Sequence, residues 1–217
     1  MTEDLEARVA QQFSTLYLTL VSVLVGLVLS DLFSTIHERV VLWPLTLETA
    51  RTWCQIFGNM LAVLSAWMTY SHLGLLRNRL PTIWDTVDVV LVLNVIPLNA
   101  AVGRHEGAGW FFAAAAYLCL AIIAIKINLW QATREPALRH LPRLGRFGGP
   151  YTFLWFGAPA YLVIAVASLY HLTSPWLELA AAAGAPVAAV VVTILFMREW
   201  RAAVRQQSES LQSPAPT

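Results

Sequence analysis

The sequence predicts an all-α membrane protein with six transmembrane helices and both termini cytoplasmic. Three observations carry this prediction. Apolar runs near residues 13–35, 53–73, 82–102, 108–131, 151–171 and 176–197 fill most of the 217-residue chain. Each is close to the roughly 20 residues that an α-helix needs to cross a hydrocarbon core about 30 Å thick. Second, the basic residues between the runs are lopsided. Ten fall on one side (Arg8; Arg77 and Arg79; Arg134, Arg139, Arg143 and Arg146; Arg198, Arg201 and Arg205) and three on the other (Arg39, Arg51 and Arg104). The basic-rich side is the cytoplasmic one. Third, tryptophans mark the run ends. Trp53, Trp110 and Trp176 open spans 2, 4 and 6, Trp84 and Trp155 open spans 3 and 5, and Trp130 and Trp200 close spans 4 and 6. An indole is apolar with a single N–H donor and favours the headgroup boundary.

Composition bounds the function. Hydrophobic residues make up 58% and charged residues 12%, and the mean hydropathy is +0.60, far from soluble norms. Residues 1–12 are expected as a cytoplasmic N-terminus and 13–197 as the transmembrane domain. Residues 198–217 form a cytoplasmic tail, polar and disordered from Gln206 onward. Little of the chain remains for an extramembrane domain, so function is expected in the helices or the short loops. A net charge of +1 gives no basis for nucleic acid as a partner. The basic residues are 13 arginines and one lysine, Lys126. That bias, with abundant alanine, points to a GC-rich bacterial source and so to a bacterial inner membrane. The N-terminal segment carries Glu3, Asp4 and Glu6 and lacks the basic start of a signal peptide, so span 1 is expected to remain as a helix.

Span 1 bears Thr15, Thr19, Ser22, Gly26 and Ser30 at spacings that put all five on one helical face. Leu16, Leu20, Val23 and Leu27 form the adjacent apolar face. Such a pair of stripes fits a hydrated pore with a dewetting gate, and equally a small-residue packing surface. Asp31, His37 and Glu38 lie at its outer end. Span 2 ends on His72. Span 3 contains Asp85, Asp88, Asn94 and Asn99. Intramembrane ionisable groups are functional candidates. Asp88 and Lys126 of span 4 fall at similar depth and would neutralise each other; the alternative is that Lys126 reaches to the inner headgroups. The 4–5 loop, with its four arginines and His140, reads as topology signal or as a lipid-headgroup contact. Spans 5 and 6 each hold a Gly-Ala-Pro, at Gly157-Ala158-Pro159 and Gly184-Ala185-Pro186. These are paired hinges or tight packing points.

Cys54 and Cys119 form neither a disulfide framework nor a metal-ligand spacing. No nucleophile–base constellation occurs, and no cofactor site is expected. The chain does not read as an enzyme.

Phe13-Ser14-Thr15-Leu16-Tyr17, Trp67-x-x-Tyr70-x-His72, Arg77, Asp85, Leu93-Asn94 and Pro97 follow one another in an order that resembles the endolysosomal-type potassium channels, whose bacterial members are six-helix subunits. Those channels carry no selectivity-filter loop, and no Thr-Val-Gly-Tyr-Gly run exists here. The resemblance covers residues 13–103 by motif. It implies a homotetramer conducting potassium or a related monovalent cation, with span 1 lining the pore. Leu20 and Leu27 would form the constriction beside Thr19 and Val23, with Thr15, Thr19 and Ser22 as the hydroxyl lining. Phe13, Ser14, Trp67, His72 and Asn94 would belong to the surrounding helix network. The family has Asp where this chain has Thr15. A small proton-linked transporter using Asp88 and Lys126, or a membrane scaffold, is the alternative expectation.

Overall fold

A computed structural model describes residues 2–39, 46–76, 87, 107–132 and 152–212. Five helices make up almost all of these residues: α1 (Thr2–Arg39), α2 (Leu47–Leu76), α3 (Gly107–Ala132), α4 (Thr152–Leu169) and α5 (Pro175–Gln212). They correspond to spans 1, 2, 4, 5 and 6 of the sequence. Span 3, with Asp85, Asp88, Asn94 and Asn99, lies outside the described residues apart from Val87, and so do the arginines of the 4–5 loop.

Local chemistry sets the helix ends. Thr46 caps α2, its Oγ1 accepting from the Thr49 amide at 3.2 Å. Ser174 caps α5, its Oγ accepting from the Leu177 amide at 3.3 Å, with Pro175 in the first helical position where its missing N–H costs nothing. Between α4 and α5 the chain turns through a Schellman motif. The Leu172 amide donates to Ala167 O at 2.8 Å and the His171 amide to Ser168 O at 3.0 Å. His171 takes the left-handed conformation at φ 54°.

Helices α1 and α5 each run 38 residues, about 57 Å at 1.5 Å per residue. Their stretches Thr15–Ser34 and Pro175–Leu195 are long and apolar enough to cross a membrane, and only 28% and 11% of those stretches are buried inside the chain. Apolar length combined with an exposed surface suggests membrane association. The tail differs from expectation. Rather than becoming disordered at Gln206, α5 continues to Gln212. Arg, Gln and Glu are good helix formers, and the prolines come only at 214 and 216.

Two apolar clusters hold the bundle. One gathers Tyr17, Val21, Val25, Val28 and Leu32 of α1 with Val63, Ala66 and Tyr70 of α2 and Ala124 of α3. The other, toward the opposite end, gathers Trp110, Phe111 and Ala114 of α3 with Ala165 of α4 and Ala182 of α5, and Cys54 packs against it. Trp110 thus departs from its expected place at a headgroup boundary. It is 2% exposed, lying edge-on to Tyr161 with ring centroids 5.9 Å apart. The alanines at 114, 165 and 182 leave a space that only a large ring fills.

These contacts fix helix sense. Along α2 the order Cys54, Ala62, Tyr70 is matched on α3 by Trp110, Tyr117 and Ala124, with Tyr117 Oη donating to Ala62 O at 3.4 Å. Helices α2 and α3 are therefore parallel. Parallel too are α2 and α5, joined through residues 51, 58 and 65 of one and 178, 185 and 193 of the other.

Candidate functional site

Two regions carry the functional candidates: the outward side of α1 and the polar seam between α2 and α5.

Helix α1 has three faces. Tyr17, Val21, Val25, Val28 and Leu32 are buried against α2 and α3. At about 100° per residue, the stripe Thr15, Thr19, Ser22, Gly26 and Ser30 is centred some 140° from that face, and all five are exposed. Leu16, Leu20, Val23 and Leu27 lie on the remaining side, also exposed; Leu27 is 63% accessible and Leu20 38%. A Cβ built on Gly26 would meet nothing within 4 Å. The hydroxyls have begun to find partners. Thr19 Oγ1 donates to Thr15 O of its own helix at 2.9 Å. Trp67 Nε1 of α2 donates to Ser22 Oγ at 3.3 Å.

The remaining expected residues divide as follows. Phe13 and Ser14 lie in α1 and His72 in α2, with their side chains outside the described set. Asn94 and Asp88 are outside the described residues altogether, and with them the Asp88–Lys126 pair. Lys126 is exposed on α3, and its Nζ sits 5.4 Å from the centroid of the Trp155 ring on α4, a cation–π distance.

The α2–α5 seam repeats every two turns. At its first level Arg51 Nη1 donates to Glu178 Oε2 in an ion pair. Glu178 Oε1 accepts from Ser168 Oγ at 2.6 Å and from Thr173 Oγ1 at 2.7 Å. One carboxylate thus fastens α2, the end of α4 and the turn into α5. It is 9% exposed, and four acceptor sites meet three donors. At the second level Gly58 faces the second Gly-Ala-Pro. A Cβ on Gly58 would come 3.1 Å from Ala185 Cβ and 3.5 Å from Pro186 Cδ, so any larger residue would push α5 back by a few tenths of an ångström, and glycine lets the helices approach this closely. At the third level Thr193 Oγ1 donates to Ala189 O at 2.9 Å. Ser65 Oγ shares a hydrogen bond with Thr193 Oγ1 at 2.6 Å and itself reaches Ala189 O at 3.5 Å. Steps of seven residues on α2 (51, 58, 65) match the two-turn period of helices wound together.

Of the two readings of the Gly-Ala-Pro motifs, packing is what the contacts express. Ala185 and Pro186 touch Gly58, and a Cβ on Gly157 would lie 3.0 Å from Leu118 Cδ1. Both prolines remain inside continuous helices. Sequence reasoning missed the ion pair. In the sequence Arg51 reads only as a topology charge, and Glu178 stands inside an apolar run with no arginine or lysine near it in the chain. It is the one acid in the apolar part of span 6, and an acid inside a span is the signal that should have marked it.

Compared with protein families, curated proteins and solved structures, the chain matches none.

Proposed function

We propose that the chain is a multi-pass protein of a bacterial inner membrane, with six spans and both termini cytoplasmic, and that it is the subunit of a homotetrameric channel for potassium or a related monovalent cation. Helix sense supports the topology. Because α2 and α3 are parallel, the end of α2 and the start of α3 lie at opposite ends of the bundle.

The observation that carries the channel reading is the outward side of α1. This helix is held by one buried face, and the residues of its hydroxyl stripe and of its Leu20–Val23–Leu27 stripe are exposed in the single chain, with Trp67 of α2 reaching the hydroxyl stripe only at Ser22. Around a symmetry axis, four such helices would present hydroxyls to water. They would close with a leucine ring narrow enough to exclude water, a gate that works by dewetting. Thr15, Thr19, Ser22 and Val23 would line the pore, and Leu20 and Leu27 would constrict it.

The test is potassium flux from liposomes that hold the purified chain, read alongside the mass of the assembly. Flux from a tetramer, raised by Leu20→Asn, supports the reading. A monomer, or vesicles no leakier than empty ones, would overturn it.

A further inference from the structure

The continuation of α5 past its apolar stretch places charge in a way the sequence did not foresee. Leu195 ends the apolar stretch, and the helix runs unbroken to Gln212. Arg198, Arg201 and Arg205 follow at spacings of three and four, which sets them within about 60° of arc on one face. All three are exposed. Trp200, Val204 and Leu211 fall within about 40° of one another on a different face. The extension is amphipathic, with a basic stripe beside an apolar one.

Depth decides what the stripe meets. At 1.5 Å per residue the three arginines stand about 4, 9 and 15 Å beyond Leu195. The headgroup layer is roughly 5–8 Å deep on each side of a bilayer. Arg198 therefore sits within the phosphate layer, Arg201 at its outer edge, and Arg205 about 7 Å or more beyond it. One helix continuous with the span holds all three charges at fixed heights. Guanidinium groups offer planar, bidentate donors that match phosphate oxygens. Glu209 follows Arg205 by four residues, the spacing at which helix side chains pair, and Arg205 already has an interaction of its own. Glu199 lies about 100° off the stripe. Arg198 and Arg201 are thus the stronger two.

We infer that the Arg198–Arg201–Arg205 stripe is a binding surface for the phosphate headgroups of anionic phospholipids in the bilayer that α5 crosses. The inference rests on the membrane reading above and adds a lipid class and a site to it. A basic residue near an anionic surface strengthens binding about fivefold, so losing Arg198 and Arg201 together should weaken binding about twentyfold.

The experiment uses the full chain in neutral detergent, titrated with dioctanoyl phosphatidylglycerol, dioctanoyl phosphatidylcholine and inorganic phosphate. Flotation with phosphatidylcholine vesicles runs in parallel. The expected result is preferential binding of phosphatidylglycerol, weakened by salt and cut about twentyfold in R198Q/R201Q. R198K/R201K, which keeps the charge, should retain most of it, and R205Q should lose least. Three results would overturn the proposal: equal binding of the two lipids, phosphatidylglycerol binding unchanged in R198Q/R201Q, or an equal loss in the lysine and glutamine variants. A chain that fails to float with neutral vesicles overturns the membrane reading itself. A chain that floats but shows no lipid preference overturns only the stripe.

Discussion

The α2–α5 seam and the outward side of α1 use similar residues to opposite ends. Both are rich in Ser, Thr and Gly at two-turn or one-turn spacing. In the seam every level is occupied: Arg51 by Glu178, Gly58 by Ala185 and Pro186, Ser65 by Thr193. On α1, Gly26 faces open space and the hydroxyls of Thr15, Thr19 and Ser30 lie on an exposed side. Small residues therefore do not announce their role. A glycine that another helix touches is a packing point, and one that nothing touches is a surface still to be used. The contrast separates what holds the subunit together from what it offers to water, lipid or another copy.

The strongest way to break the contrast is at Glu178. Glu178→Ala leaves Arg51 largely buried without its countercharge and orphans the Ser168 and Thr173 hydroxyls. Breaking a buried pair from one side costs about 3 kcal/mol. Unfolding of the purified protein in detergent should show a loss of this order. Arg51→Ala added to Glu178→Ala should cost much less than the sum of the singles, since the pair acts as a unit. Strict additivity would mean that the pair does not couple the helices.

Gly58→Val comes next. Its Cβ would press on Ala185 and Pro186, and overpacking of this kind costs about 1–3 kcal/mol. Gly26→Val on α1 meets nothing, and its stability should move by less than about 0.5 kcal/mol. The two substitutions are chemically identical, and unfolding midpoints compare them directly. Equal losses would erase the distinction between seam and open face.

Much of this was legible in the chain and some was not. The apolar runs 13–35, 53–73, 108–131, 151–171 and 176–197 are helices along most of their length, as runs of that length rich in Leu, Ala and Met favour. The stripe on α1 followed from spacing alone. What spacing cannot give is the neighbour. Gly58 carries no mark that sets it apart from Gly26, because the difference is a partner 127 residues away at Ala185. The same holds for Arg51, whose value as a topology marker hid its value as a counterion. Trp110 looked like a headgroup anchor because it opens a run, but alanines on three helices made room for it inside.

Smaller still is the third level of the seam. Ser65→Ala removes the hydroxyl that bonds Thr193, while Thr193 keeps its bond to Ala189 O. Interhelical hydrogen bonds between membrane helices are worth about 0.6 kcal/mol on average, so a loss near that value is expected by unfolding in detergent. A loss several times larger would show that the hydroxyl pair sets helix register rather than merely filling it.

The smallest effect on stability should accompany the largest effect on function, and it falls on α1. Leu20 is 38% exposed and Thr19 bonds only within its own helix. Leu20→Asn therefore removes little packing from the single chain, and its unfolding should shift by less than about 0.5 kcal/mol. In an assembly closed around α1 the same change puts an amide where a leucine ring excluded water, so potassium leak should rise. Leu20→Phe refills that ring and should keep leak low. The seam makes the control: Ser65→Ala should alter stability and leave flux per folded subunit unchanged. If instead Leu20→Asn lowered stability and left flux untouched, the outward side of α1 would be a packing surface, and both regions of the molecule would be doing the same job.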